Sequence, residues 1–139
     1  MYASIGENFE HTETIDEETI SAFARLIGDF NLLHHDRLVA SASRFGGIIA
    51  SGPHCASILL ARLANYFSRN TSMFGLEFSL KFQAPARPQD VLQFRWEVID
   101  VVWNEKLRGD IVSLAGSVCN SAGTEILTSQ GKILVFGNQ

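Results

Sequence analysis

Pro53-His54-Cys55-Ala56-Ser57-Ile58-Leu59-Leu60-Ala61-Arg62-Leu63-Ala64-Asn65-Tyr66-Phe67-Ser68 is the stretch that decides the fold. Ala56, Leu59, Leu60, Leu63, Ala64 and Phe67 recur at helical spacing, and Ile58 and Ala61 widen the stripe until most of the surface is apolar. A helix apolar nearly all round is expected to be buried. Gly52-Pro53 marks its start, because a proline in the first turn gives up only an amide that would have lacked a partner anyway. At 1.5 Å per residue the helix would run about 24 Å.

Strands follow it. Phe74, Leu76, Phe78, Leu80 and Phe82 alternate with Gly75, Glu77, Ser79, Lys81 and Gln83, the period of a strand with one face buried. From Met73 to Ala84 that strand would reach roughly 40 Å, longer than the helix it covers. Pro85 and Pro88 end it. Leu92, Phe94, Trp96 and Val98 make a second alternating run, Val112, Leu114, Gly116 and Val118 a third, and Ile126 to Phe136 a fourth. The segments Asn104–Gly109 and Asn120–Gly123 that separate the last three have the length of turns between antiparallel neighbours. Helices first and then such a run predict an α+β fold, a curved antiparallel sheet wrapped around the long apolar helix.

Upstream, residues 8 to 14 alternate weakly and suit a short edge strand. Thr14-Ile15-Asp16-Glu17 has the form of a capping box, with Asp16, Glu17 and Glu18 near the positive end of a helix. Ile20, Phe23, Ala24 and Ile27 form one apolar stripe, and Gly28 can close that helix in a left-handed conformation. Asp29 to Asp36 has no amphipathic period and is expected to be a structured loop. A short helix capped by Asp36 is expected to run to Ser43 and to be broken by Arg44-Phe45-Gly46-Gly47.

The chain has 139 residues, a single-domain length covering 1–139, and its 46% of apolar residues is enough for a sizeable core. A net charge of -4 without any run of Lys or Arg argues against a nucleic-acid surface or a polybasic membrane anchor. The opening residues lack the basic and apolar regions of a signal peptide, and no apolar run is long enough to span a bilayer, so a soluble, cytoplasmic protein is expected. Cys55 and Cys119 have no CxxC spacing and are expected to be small core residues.

The loop carries the chemistry. Gly28-Asp29-Phe30-Asn31-Leu32-Leu33-His34-His35-Asp36 and the residues after it match, in order, Gly28, Asp29, Asn31, Leu33, His34, Asp36, Ala40, Phe45, Ile49 and Gly52 of the pattern Gly-Asp-x-Asn-Pro-Leu-His-x-Asp, small residue, aromatic, Ile-x-x-Gly. This resembles the hydratase signature of the MaoC-like dehydratases, which include the R-specific enoyl-CoA hydratases. Leu32 replaces the usual proline, and Ser51 stands where a histidine often precedes the glycine. Phe82-Gln83-Ala84-Pro85-Ala86-Arg87-Pro88-Gln89-Asp90-Val91 is similar to a second family stretch, with Gln89 in place of glycine. The resemblance implies the hot-dog fold and a homodimer or larger homo-oligomer. It also implies Asp29 and His34 as the catalytic dyad, and the Gly52 backbone amide as the oxyanion donor. The implied substrate is a trans-2-enoyl thioester of coenzyme A or of an acyl carrier protein, converted to an R-3-hydroxyacyl product without a cofactor.

The residues by themselves agree with that chemistry. Hydration of an activated double bond needs groups that handle a water proton and a carbon-bound proton, and a donor for the enolate oxygen. An acid and an imidazole within one short loop supply the former. The first amides of the Pro53 helix offer the latter, and since Pro53 has none the near choices are Gly52 and His54. Asn31 is expected to brace the loop and Asp36 to cap the short helix. His34 and His35, even with Asp36, His11 or His54, lack the i, i+4 spacing of two ligands on a helix face, so no metal is expected. Two other functions share these features: a hot-dog thioesterase and a non-catalytic acyl-thioester-binding domain. The first places its carboxylate on the long helix, where Ala56 to Leu63 has none. The second is motivated by Leu32 and Ser51.

Overall fold

The computed structural model describes residues 1–138. Five strands form one antiparallel sheet: β1 (Asn8–Thr14), β2 (Thr71–Phe82), β3 (Val91–Asn104), β4 (Gly109–Asn120) and β5 (Glu125–Gly137), in the order β1-β3-β4-β5-β2. Three α-helices lie before β2 in the chain: α1 (Glu17–Leu26), α2 (Arg37–Ala42) and α3 (Gly52–Phe67). The sheet curves around α3, as the alternating runs predict.

The alternation has its cause in the inner face. Leu92, Phe94, Trp96 and Val98 of β3 are buried, as are Val112, Leu114 and Val118 of β4 and Leu127, Ile133 and Val135 of β5. They meet Cys55, Ala56, Leu59, Leu63 and Phe67 of α3 in one cluster. Trp96 ties the two layers together: its indole Nε1 donates to the Leu59 carbonyl at 2.8 Å. Gly116 on the neighbouring strand makes room for the ring, since a Cβ there would lie 2.6 Å from two of its atoms.

Three expectations change. Thr14 does not cap α1, because it is still paired in β1 with Val91, and Ile15 is pinned in the core. The helix therefore begins after Asp16, whose carboxylate accepts the Thr19 amide at 2.7 Å. The long helix is buried along one stripe only; Ser57, Ala61, Ala64 and Asn65 are exposed, because the sheet covers one side and α1 packs on α3 through Phe23 against His54. Most of the alternating apolar residues of β2 are also uncovered: Phe74 is 65% exposed and Phe82 56%, with Leu76 and Leu80 exposed as well. β2 is an edge strand, and a bulge between Gly75 and Glu77 shifts its register, so Phe74 and Phe78 point to opposite faces.

Candidate active site

The end of α1 sets the position of Asp29. Gly28 takes φ of 76°, its amide bonds the Arg25 carbonyl at 3.0 Å, and the Asp29 amide bonds the Ala24 carbonyl at 2.8 Å. These paired bonds close a helix through a left-handed residue, and they fix the peptide of Asp29 to the last turn. Its Oδ1 then accepts the Asn31 amide at 3.0 Å, and the Asn31 side chain accepts the Leu33 amide at 3.1 Å at the head of a 3₁₀ turn, Leu32–His34. Asp36 follows as the cap of α2, accepting the Leu38 and Val39 amides.

The turn delivers the His34 ring to the other carboxylate oxygen. His34 is buried, and its Nε2 lies 3.4 Å from Asp29 Oδ2. Its Nδ1 is 2.7 Å from the Ile49 carbonyl. A carbonyl only accepts, so Nδ1 carries the proton and Nε2 of the neutral ring presents a lone pair towards the carboxylate. Two acceptors at that spacing do not bond each other, and both remain free to accept from one water. The Leu33 carbonyl takes the Ile49 amide at 3.2 Å, and the Ala86 carbonyl takes the Ala50 amide at 2.9 Å, which holds the segment leading into α3 beside the loop.

Gly52 is three residues beyond Ile49, so it lies at most about 11 Å along the chain from the carbonyl that holds His34. It is the first residue of α3. Pro53 has no amide and the His54 amide bonds the Ser51 carbonyl at 3.0 Å, whereas the Gly52 amide meets no acceptor among the described residues. The Phe82 ring sits over it, 3.1 Å from where a Cβ would be. Beside this helix end a cavity of about 300 Å³ opens between Ile49, Cys55, Phe82, Ala84, Ile126 and Leu127, with mostly apolar walls. Among the described residues no group of three or more His, Cys, Asp and Glu side chains is arranged to hold a metal. No helix among them is long and apolar enough to cross a membrane.

The cavity and the Ile49 carbonyl were not legible in the sequence. A backbone acceptor leaves no residue signature, and Cys55, Ile126 and Leu127 read simply as core. Burial pushes the Cys55 thiol up to about 12, so it stays protonated and inert as a nucleophile.

Two consequences are measurable. His54 is buried, stacked on Phe23 at 4.4 Å, and burial lowers its pKa while the charge of Glu13 opposes the shift. The unfolded chain therefore takes up a proton at this residue below about pH 6.5, where the folded chain does not. Stability from this source is fully present above that pH and falls as pH drops towards the lowered folded value. Urea midpoints measured between about pH 7 and pH 5 should fall less steeply in His54→Gln than in the wild type; equal slopes would contradict this.

The second concerns Leu32. Asn31 before it is extended, with φ of -60° and ψ of 122°, as a residue preceding proline must be. Leu32 is the first residue of the 3₁₀ turn, it is half exposed, and its amide meets no acceptor among the described residues. Leu32→Pro is therefore expected to fold, to gain about 0.4–1 kcal/mol through the unfolded state, and to be at least as active. A drop of several degrees in Tm would show that the turn needs the leucine amide.

A curved sheet around a central helix, with an acid and an imidazole on the loop before that helix, is the hot-dog class of the hydratases and dehydratases. The chain belongs to the MaoC-like domain family, whose model matches residues 2–115. Among solved structures it is similar to the R-hydratase PhaJ1 from Pseudomonas aeruginosa in its unliganded form, at 25% identity and a TM-score of 0.86, over 98% of this chain and 84% of that one. It is similar to a MaoC-like dehydratase from Rhodospirillum rubrum at 26% identity and a TM-score of 0.85, over 99% and 95%. An (R)-hydratase from A. caviae, at 23% identity and a TM-score of 0.82 over 94% and 96%, adds a likeness of fold. Among curated proteins none matches by sequence.

Proposed function

We propose that the protein adds water to a trans-2-enoyl thioester, or removes it from the R-3-hydroxyacyl thioester, with coenzyme A as the carrier. The observation that carries the reading is the face of His34 Nε2 towards Asp29 Oδ2 at 3.4 Å, with the other nitrogen of the ring fixed on a carbonyl. One water donating to both acceptors would be aligned for attack and short of one proton's hold. As its oxygen bonds to C3 of the enoyl group, the pair takes one proton from it, and the pair returns one proton to C2. The negative charge passing through the thioester oxygen is met by the Gly52 amide, strengthened by the helix behind it. The acyl chain lies in the apolar cavity beside that amide. The membership of the family and the likeness to PhaJ1 support the same reaction class.

The test is incubation with crotonyl-CoA, following enoyl absorbance and free thiol in parallel. Loss of absorbance without thiol is the expected result. Release of thiol would mean hydrolysis instead, for which α3 carries no carboxylate and the Cys55 thiol stays protonated. Neither signal, with shorter and longer enoyl chains also inert, would leave a binding domain.

A homodimer completes the reading. β2 presents an unpaired edge with Phe74, Leu76, Leu80 and Phe82 exposed, and β3 adds Ile99, Val102 and Trp103. Uncovered edges of this kind pair with another chain. Sedimentation at micromolar concentration should give at least twice 15.3 kDa; an active species at 15.3 kDa would refute the dimer.

A further inference from the structure

We infer that His35, the neighbour of the dyad histidine, is a positioning residue that clamps the backbone of Asp29 to α1; this rests on the hydratase reading of the Asp29–His34 pair. The two histidine rings lie edge to face, 6.2 Å apart and inclined by 79°, so they serve different sides of the turn. His34 faces the Asp29 carboxylate, whereas His35 faces its peptide. His35 Nε2 is 2.8 Å from the Asp29 carbonyl, and Nδ1 is 2.7 Å from Ser21 Oγ on α1. The carbonyl only accepts, so Nε2 carries the proton and donates; Nδ1 of the neutral ring then accepts from the Ser21 hydroxyl. The bonds run in one direction, from helix to ring to loop.

The clamp supplies what the rest of the loop lacks. The Asp29 amide is bound to the Ala24 carbonyl and Oδ1 to the Asn31 amide, both contacts within five residues of it in sequence. His35 holds the carbonyl of the residue, and does so from beyond the 3₁₀ turn, whose own bond from the His35 amide to the Leu32 carbonyl fixes the ring's starting point. With amide, carbonyl and Oδ1 all held, the one polar atom of Asp29 left for chemistry is Oδ2, which faces His34. Proton transfer depends steeply on such placement, because a misplacement of about 1 Å costs on the order of 10²-fold in rate.

The ring also explains a feature of the sequence that the dyad does not use. Two adjacent histidines in a turn point to opposite sides, and only one of them has a carboxylate to meet. The other finds a hydroxyl and a carbonyl.

The experiment is steady-state hydration of crotonyl-CoA by the full chain and by His35→Ala, His35→Gln, Ser21→Ala and the Ser21/His35 double alanine variant, with thermal melting of each. His35→Ala should lower kcat by about 10- to 100-fold while KM stays within about twofold, since the ring moves a reacting group and touches no substrate. His35→Gln, which keeps an N–H donor for the Asp29 carbonyl, should recover much of the loss. Ser21→Ala should cost less, and the double variant no more than His35→Ala alone, because the two residues act as one unit. Unchanged kcat in His35→Ala, a loss carried by KM, a loss no better in His35→Gln, or losses that multiply in the double variant would each overturn the clamp. An inactive wild type would instead overturn the hydratase reading, and the clamp is then read directly by NMR of ¹⁵N-labelled histidine. His35 should show the Nε2-protonated form with a proton protected from exchange by its bond; the Nδ1-protonated form or a freely exchanging proton would remove the clamp whatever the activity.

Discussion

Asp29→Asn and His34→Ala should each lower kcat/KM for enoyl-thioester hydration by on the order of 10²-fold or more, while the protein stays folded. The asparagine keeps an oxygen for the Asn31 amide, so the Asx turn that shapes the loop survives and only the charge and basicity facing His34 are lost. The alanine removes the lone pair opposite Asp29 Oδ2 and leaves the Ile49 carbonyl without its donor, which costs about 1–3 kcal/mol of stability and is visible in urea unfolding. The double variant should fall little below the worse single one, because a water held by two acceptors is no longer aligned once either is gone. A folded single variant that keeps more than about a third of wild-type kcat/KM would sink the dyad, since general acid–base groups contribute far more than that. The comparison with His35→Ala sharpens the assignment: all three residues lie within one short loop, but only the two that meet the water should cost the full factor.

How much of this was legible in the sequence depends on what kind of group does the work. The strands of the inner face were read from alternation because Phe94, Trp96, Val112 and Leu127 are buried by the chain's own helix. β2 alternates just as strictly, yet most of its apolar residues are exposed. Alternation marks an apolar face without recording whether the chain's own helix covers it, and so the sequence could not separate the buried strands from the exposed β2. The same limit applies to α3, whose apolar surface exceeds what one sheet covers. The Thr14 capping pattern failed for another reason: pairing of Thr14 with Val91 across the sheet outweighs a local cap worth about 1 kcal/mol. In the loop, the spacing of Asp29 and His34 was visible because both are side chains with a recognisable pattern. The Ile49 carbonyl that sets the His34 tautomer and the Asp29 carbonyl that His35 holds are backbone atoms, present at every position, and only coordinates distinguish them.

Trp96→Ala should be among the most destabilising single changes in the chain, at about 3–5 kcal/mol against a total stability of about 5–15 kcal/mol for a domain. The ring is fully buried, packs 6.3 Å from Phe78 centroid to centroid, and occupies the place that a side chain at position 116 would otherwise take. Removing it opens a void between β3, β4 and α3 that Gly116 cannot fill, and it strips the Leu59 carbonyl of its indole donor. Trp96→Phe separates these two terms. It retains an aromatic ring and loses the N–H, so about 0.5–1.5 kcal/mol of its cost belongs to the hydrogen bond and the rest to the smaller ring. Urea midpoints at constant slope give both values. The functional consequence follows from position: Leu59 is on the helix whose first residue is Gly52, so a helix loosened from the sheet carries its free amide away from the Asp29–His34 pair. Activity in Trp96→Ala should therefore disappear on warming several degrees before the secondary structure does. A cost below about 1 kcal/mol, or activity and structure lost at the same temperature, would mean that α3 is held in register by contacts other than this ring.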